Sequence, residues 1–391
     1  MTECLIDLRE LDGPRLIRRE ELAASQQLAA LCFPGAAGVT EEIRAYTPPR
    51  HGGIQVLCHR GVPVLQIGVY HSQASVYGSH LRVASIGGVC THPDYRGQGL
   101  ATRLLDHCAH KLTAEDARLM LISGMRGLYT RAGCVTAQEF EYIVLKPDVL
   151  RTRISRINGL RVRPAIEADA PLCARLYQTE PVHFVRRVEE FVIHFQRPEE
   201  FSKAEDWIAE VAGQPVAYLL TSIPWEYRRE QDTDAREVVE YAGSRVALVG
   251  ALAEVMARLG LRELRLRVPR QDVDLLQLLR EQGITGEHVP LIGHTMHIVN
   301  FPALMSDLRP YVKARLTEGQ RRGLRFEQEG NQYGIVRGQE RLELDGAAMT
   351  RLVMGVPAEV APAISIAPGA LSEIIPALFP LPSLLPGLNY R

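Results

Sequence analysis

The stretch Ile86-Gly87-Gly88-Val89-Cys90-Thr91-His92-Pro93-Asp94-Tyr95-Arg96-Gly97-Gln98-Gly99-Leu100-Ala101-Thr102 decides how the chain is read. Ala84 to Cys90 is rich in apolar residues and predicts a strand. From Leu100 onward the apolar positions Leu100, Leu104, Leu105, Cys108 and Leu112 recur at helical spacing with polar residues between them, which predicts an amphipathic helix. A strand thus passes through a short loop, holding two glycines and a basic residue, directly into a helix N-terminus. Such a junction points free backbone N–H groups and the positive end of a helix dipole at one spot. Gly97 and Gly99 permit backbone angles and close approaches that a side chain would block, so the loop can fold around a pyrophosphate as a nest of amides.

Around this stretch the first segment reads as one α/β unit ending near Val149. Ile54 to Cys58 and Val62 to Tyr70 flank a polar Arg60-Gly61 and predict a hairpin, and Arg118 to Ile122 a short buried strand. After a polar, arginine-rich linker from Lys146 to Gly159 the pattern starts again. Leu160 to Pro164 is an extended segment leading to a helix start with Asp169 as its N-cap. Trp207 to Ser222 reads as a hairpin turning at Gly213-Gln214. Val246, Val249, Leu252, Val255, Met256 and Leu259 mark one helix face, and Leu264 to Val268 alternates as a strand. This second copy lacks the phosphate loop: Glu240-Tyr241-Ala242-Gly243-Ser244-Arg245 has a single glycine before its helix. The last third differs. Phe301 to Leu316 predicts a helix, and Leu324 to Glu329, Gln332 to Val336 and Arg341 to Leu344 three short strands. Pro357 to Arg391 is proline-rich and predicts an extended tail laid over the other domains.

At 391 residues the chain exceeds the size at which one core stops growing. Hydrophobic residues at 46% and charged residues at 23% suit an ordinary globular protein, and the net charge of -1 offers no basic excess for nucleic acid. The seven cysteines are odd in number and lack the close pairs of a zinc or redox motif, so reduced thiols and a cytoplasmic location are expected, with no metal. Glu3, Asp7, Arg9, Glu10 and Asp12 interrupt the N-terminus too often for a signal-peptide core, and no run of about 18 uncharged apolar residues announces a membrane span.

Arg96-x-x-Gly99-x-Ala101, preceded by a strand and Pro93, resembles the acyl-CoA signature of the GNAT acetyltransferases, and the resemblance extends over residues 1 to 150. It implies acetyl-CoA as cosubstrate. The backbone amides of Gly97, Gln98, Gly99, Leu100, Ala101 and Thr102, next to Arg96, would hold the pyrophosphate. Val89, Cys90 and Thr91 would pair with the pantetheine arm as another strand would, the Val89 amide polarising the thioester carbonyl. Gly127-Leu128-Tyr129-Thr130-Arg131-Ala132-Gly133 resembles the family's second motif, in which a tyrosine sits beside the departing thiolate. A phenol of pKa ~10 suits that general-acid role, and the alternative for Tyr129 is packing of its helix onto the sheet. Cys90 as a covalent nucleophile has no recognisable His and Asp set, so core packing explains it better. His92 and Asp94 read as solvated loop residues, and Glu41 and Glu42 as a helix cap rather than an amine pocket.

The whole-chain plan narrows the expectation to an α/β fold of mixed sheets. It comprises a catalytic GNAT domain at 1–150, a degenerate GNAT-like domain at 151–290 and a sterol-carrier-protein-like α+β domain with its tail at 291–391. The last module opens at Gly293-His294-Thr295-Met296-His297-Ile298-Val299-Asn300. That order resembles the enhanced-intracellular-survival (Eis) acetyltransferases, and implies that the terminal carboxylate, here of Arg391, takes the proton of the amine. The ending Tyr390-Arg391 departs from the family's terminal aromatic residue, and a tail that merely seals the domain interface stands beside that role. The expected activity is acetylation of the primary amine of a small molecule, such as an aminoglycoside, a polyamine or a lysine. A homo-oligomer is compatible with it. The rival is a non-catalytic acyl-CoA or lipid binding protein.

Overall fold

Alternating apolar runs and tight turns set the first sheet. The computed structural model describes residues 10–33, 52–149, 157–196, 205–224 and 234–390. β1 (Leu11–Leu16) leads into α1 (Leu22–Cys32), and β2 (Gly52–His59), β3 (Val62–Val76) and β4 (Ser79–Thr91) form an antiparallel meander. The β2–β3 turn falls on Arg60-Gly61, whose φ angles of 51° and 79° are those a two-residue hairpin loop requires. Next come α2 (Leu100–Ala114), β5 (Leu119–Ile122) and α3 (Gly127–Arg131). α2 buries Leu100, Leu104, Leu105, Cys108 and Leu112, the predicted face. β5 runs parallel to β4, as a helical crossover dictates.

The chain continues through β6 (Phe140–Leu145), β7 (Leu160–Pro164), α4 (Ala170–Gln178), β8 (Val182–Phe184), α5 (Val188–Phe195), β9 (Asp206–Val211) and β10 (Gln214–Ser222). Then follow β11 (Ala235–Gly243), α6 (Arg245–Leu259), β12 (Glu263–Pro269), α7 (Val273–Glu281), β13 (Glu287–Val289) and β14 (Thr295–Ile298). α8 (Phe301–Asp307), α9 (Arg309–Arg315), the meander β15 (Leu324–Glu329), β16 (Gln332–Arg337) and β17 (Glu340–Asp345), α10 (Gly346–Met354) and α11 (Ala370–Leu378) complete it. The strand order is β1-β2-β3-β4-β5-β14 in the first sheet, with β8 also on β3, and β13-β6-β12-β11-β10-β9-β7 in the second.

The two large sheets exchange strands across the boundaries near residues 150 and 290. β6 lies in the second sheet between β13 and β12, while β14 pairs with β5 from Thr295 opposite Ile122 to Ile298 opposite Leu119. The segment expected to open the last module is therefore a strand of the first sheet. A shared core explains the exchange. One contiguous cluster takes in Leu119 and Leu121 of β5, Phe191 of α5, Tyr218 of β10, Met296 of β14 and Phe301, Met349 and Ile374 of the terminal part.

Four local expectations are corrected. The helix over 301–316 is two helices meeting at Leu308, because Pro310 has no N–H with which to continue the ladder. Of the face expected for α6, Val249, Leu252, Val255 and Met256 are buried, whereas Val246 is 53% exposed and Ala247, Leu248 and Ala251 are buried beside it. With apolar residues around most of the helix, the buried face is wider than the one periodicity marks. Asp169 sits at the N-cap of α4 without bonding a helix amide, its carboxylate accepting from the Ile166 N–H at 2.9 Å and pairing with Arg163 at 2.7 Å. The proline-rich tail contains α11 with Pro376 inside it. Burial of Leu371, Ile374, Ile375 and Leu378, at about 1.5–3 kcal/mol each, outweighs the roughly 3 kcal/mol a helix-interior proline costs.

The strand exchange has a direct test. A chain ending at residue 290 lacks β14 and leaves the apolar faces of Leu119 and Leu121 uncovered. It is expected to lose cooperative thermal unfolding and to bind a hydrophobic dye, and a sharp two-state melt by circular dichroism would contradict this.

Candidate functional site

The site is made by strands that stop pairing. β4 and β5 are in register from Val83–Leu119 to Ile86–Ile122 and no further. β4 continues to Thr91 with β3 alone: Gly68 faces Gly87 and Gln66 faces Cys90, so Gly88 and Val89 together oppose Ile67. This is a bulge, with Gly88 at φ 57°, and bulges bend and twist a strand. From Gly87 onward the edge of β4 that faced β5 has no strand partner.

The loop beyond it is braced from below. Pro93–Tyr95 forms a single 3₁₀ turn capped by His92. The Tyr95 hydroxyl is 2.6 Å from His59 Nδ1, and the Tyr95 ring meets the His59 and His92 rings edge-on, each at 5.7 Å. Arg96 Nε donates to the Thr91 carbonyl at 3.1 Å. Gly97 and Gly99 adopt φ 77° and 74°, and a Cβ built on either meets open space. Gly99 caps α2 without a side-chain bond. Among the described residues the amides of Gly97 through Thr102 have no acceptor, and they crown one helix end. Free amides at a helix N-terminus are the geometry that favours an anion. Arg96 serves first as the brace that ties the loop to the strand. The Thr91 carbonyl, which also accepts from Cys32 Sγ at 3.3 Å, is engaged within the protein.

Tyr129 is 4% exposed on α3 and shares one apolar cluster with Ile122 of β5, Cys134, Leu100 and Leu104 of α2, against which Val89 and Ala101 also pack. That cluster brings three of the anticipated elements together: the unpaired edge, the first turn of α2 and the tyrosine. Gly124 is required here, since a Cβ at that position would lie 2.7 Å from Tyr129 Cε2. Burial raises the phenol's pKa above its ordinary value, with Arg126 opposing and Cys134 adding. The hydroxyl stays protonated at neutral pH, and it makes no hydrogen bond among the described residues.

Cys90 is 4% exposed in a cluster with Ile17, Leu28, Ile54 and Val56, and burial together with Cys32 pushes its thiol far above the ordinary range. A thiolate nucleophile is not available there. His92 and Asp94 form a loose pair at 3.7 Å in the loop. Glu41, Glu42 and Arg391 lie outside the described residues. No three His, Cys, Asp or Glu side chains cluster as metal ligands, and no helix is long and apolar enough to cross a membrane, among the described residues.

The second sheet treats the equivalent junction differently. Gly243, at φ 97°, ends β11, and Ser244 caps α6 by accepting from the Ala247 N–H at 3.3 Å. The Glu180 carboxylate accepts from the Gly243 N–H at 2.8 Å and from Arg245 Nη1 at 2.8 Å. Arg245 also pairs with Asp272 at 3.0 Å. The amide and the guanidinium that a phosphate would use already hold an internal carboxylate.

Two pairings had no signal in the sequence, because the partners are distant in the chain. The Tyr70 hydroxyl of β3 donates to Glu190 Oε1 of α5 at 3.2 Å. Arg186 and Glu240 form a fully buried ion pair at 2.6 Å. This pair grips the tail: Arg186 Nε donates to Asn389 Oδ1 at 2.6 Å, and the Leu388 N–H donates to Glu240 Oε2 at 3.0 Å. Ser383 anchors the tail further back, its Oγ accepting from the Glu139 N–H at 3.0 Å and its carbonyl from Gln271 at 2.7 Å. The tail thus lies along the second sheet, beside β6, β12 and β11.

Residues 14–137 match the family described as the acetyltransferase (GNAT) domain. No curated protein sequence matches the chain. Among solved structures the chain is similar to a GCN5-related N-acetyltransferase from Kribbella flavida, with 15% identity, 97% of this chain and 99% of that chain covered, and a TM-score of 0.67. A GCN5-related N-acetyltransferase from Anabaena variabilis gives 14% identity, coverage of 94% and 97%, and 0.66. Eis1 from Mycobacterium abscessus gives 14%, 93% and 95%, and 0.59. At these identities the likenesses show the fold. With the domain match, the chain carries a GNAT-type acetyltransferase domain, and acyl transfer is its chemistry.

Burial of Cys90 yields a testable consequence. Cys90→Ala removes a buried thiol and is expected to lower stability by about 1–2 kcal/mol while acetyl transfer stays within a few-fold of wild type. Loss of turnover in a folded variant would make Cys90 a participant.

Proposed function

We propose that the chain is an acetyl-coenzyme A-dependent N-acetyltransferase that passes the acetyl group directly to a primary amine of a small molecule. The observation that carries the reading is the set of unpaired amides from Gly97 to Thr102 beside the unpartnered edge of β4. The amides bind the pyrophosphate of acetyl-CoA, and the pantetheine arm lies along Val89 and Cys90 and extends toward Thr91. The amine nitrogen attacks the thioester carbon, the Val89 N–H stabilises the oxyanion, and the C–S bond breaks. Tyr129 gives its proton to the departing thiolate and is reprotonated, through solvent, by the proton that the attacking nitrogen sheds as the amide forms. The ammonium proton leaves before attack, to the terminal carboxylate of Arg391 or to water. The docked tail, held at Leu388 and Asn389 by Glu240 and Arg186, supports that carboxylate's having a fixed place.

In this reading residues 1–150 are the catalytic domain, 151–290 a GNAT-like copy without coenzyme A, and 291–391 a sterol-carrier-like domain with its tail. The order is that of an Eis-like enzyme. The three-stranded meander β15–β17 flanked by helices supports the last assignment. The free thiols of Cys32, Cys58, Cys90, Cys108, Cys134 and Cys173 support a cytoplasmic location. The acceptor is a small amine, and neither nucleic acid nor a metal enters the scheme.

Release of coenzyme A thiol from acetyl-CoA in the presence of a panel of primary amines tests the activity; silence across the panel favours a non-catalytic acyl-CoA binder. Tyr129→Phe is expected to keep acetyl-CoA affinity and to lower kcat by about 10²–10⁴-fold, whereas undiminished turnover would assign Tyr129 to packing. Titration calorimetry with acetyl-CoA should give a stoichiometry near one, because Glu180 fills the second junction. Gly99→Glu should abolish that binding by placing a side chain and a like charge in the nest. A stoichiometry near two would show that the second copy retains its site.

A further inference from the structure

The first sheet has two faces, and the face away from α2 is covered in two separate places. At one side α1 packs on it through the cluster of Leu28, Ala29, Ile54, Val56 and Cys90, and Ser25 bonds Gln66 at 2.6 Å. At the other side α4, α5 and the terminal part cover Ala74, Leu81, Val83, Leu119 and Leu121. Between these two clusters the residues that point to the same face are Gly68 and Gly87, a facing pair, and Tyr70 and Ser85, the next facing pair along the ladder. Two glycines without side chains, next to two hydroxyl residues, interrupt an otherwise apolar surface. The interruption adjoins the bulge at Gly88 and Val89, where β4 loses its parallel partner.

One charge belongs to this strip. Glu190 is partly exposed at the start of α5, where its Oε2 accepts from the Arg187 N–H at 2.8 Å and its Oε1 from the Tyr70 hydroxyl at 3.2 Å. Both donors are neutral. The carboxylate forms no ion pair among the described residues; of the two guanidiniums whose charge reaches the Tyr70 hydroxyl beside it, Arg186 is committed to Glu240 and Arg187 is exposed. A half-buried carboxylate held by two neutral donors keeps unused acceptor capacity, which an ammonium group satisfies.

We propose that Glu190 is the ammonium-binding residue of the acceptor site, with Tyr70 as its positioning residue. The acceptor amine reaches the thioester across the Gly68–Gly87 strip, from the face opposite α2. The substrate class this specifies is a dication: one ammonium rests on Glu190 while a second amine, deprotonated, attacks the acetyl group. The assignment rests on the amine-transfer reading of the preceding subsection.

Glu190→Gln isolates the charge. A glutamine preserves the cap at the Arg187 N–H, since Glu and Gln serve this position alike, so α5 is retained. The full-length wild type and this variant are compared with acetyl-CoA and two acceptors, 1,4-diaminobutane and n-butylamine, which differ by one ammonium. For the diamine KM is expected to rise about tenfold or more, the size of one lost charge-assisted contact. The n-butylamine KM, the kcat and the acetyl-CoA affinity should stay within about twofold. Tyr70→Phe should raise the diamine KM by a smaller factor in the same direction. If the wild type acetylates neither amine, the amine-transfer reading falls and this assignment with it. If it acetylates them and Glu190→Gln leaves the diamine KM unchanged, or weakens both acceptors equally, Glu190 is a helix cap and the assignment alone is overturned.

Discussion

Parallel pairing between β4 and β5 ends at Ile86 and Ile122, and the chemistry of the molecule depends on that ending. A parallel sheet normally satisfies every backbone group along its strands. Here the bulge at Gly88 and Val89 turns β4 aside, so a stretch of strand remains with hydrogen-bonding groups on one edge and no strand to receive them. An extended, amide-containing chain is the partner such an edge fits best. The same divergence leaves room ahead of α2, and the loop from His92 to Gly99 fills the distance without closing it. Tyr95, His59 and Arg96 hold that loop through side chains, which leaves its backbone amides free.

The two strand–helix junctions show how little separates a binding site from a structural turn. Both end a strand near a glycine with positive φ and begin a helix that packs on the sheet. In the first, Gly99 offers no side-chain cap, and the helix end waits for an anion. In the second, Ser244 and Glu180 supply the oxygen atoms themselves, and Arg245 holds the carboxylate in place. An internal anion is always at its site, whereas an external one must be bound at a cost in freedom. The second junction is therefore satisfied from within the chain.

Much of this was legible because the junction between β4 and α2 is local. Strand, glycines and helix face fall within about thirty consecutive residues, and the buried positions of α2 are those its periodicity marks. The hairpin at Arg60-Gly61 and the meander in the last third were equally local. Strand partnership was not. Nothing within Phe140–Leu145 or Thr295–Ile298 tells which sheet will take them, because an apolar strand satisfies either. Tyr70 and Glu190 are likewise 120 residues apart, and a lone glutamate at a helix start reads as a cap. Here it is a cap and also the acceptor of the Tyr70 hydroxyl. The helix break at Leu308 was available from Pro310 and was outweighed by the apolar run around it.

The tail completes a buried ion pair that its removal would uncover. Taking Arg186 and Glu240 out of water costs several kcal/mol for each ion, and their 2.6 Å contact recovers this only when the remaining donors and acceptors are also satisfied. Tyr218 supplies one bond to Glu240 at 2.8 Å, and Tyr177 stacks under the guanidinium at 4.3 Å. The rest come from the tail: Asn389 to Arg186, and the Leu388 N–H to Glu240. Gly387 lets the backbone pass, since a Cβ there would fall 1.8 Å from the Glu240 carboxylate. Without the tail the pair would keep its desolvation cost and lose these partners. Docking of Gly387 to Asn389 is thereby coupled to the stability of the second sheet.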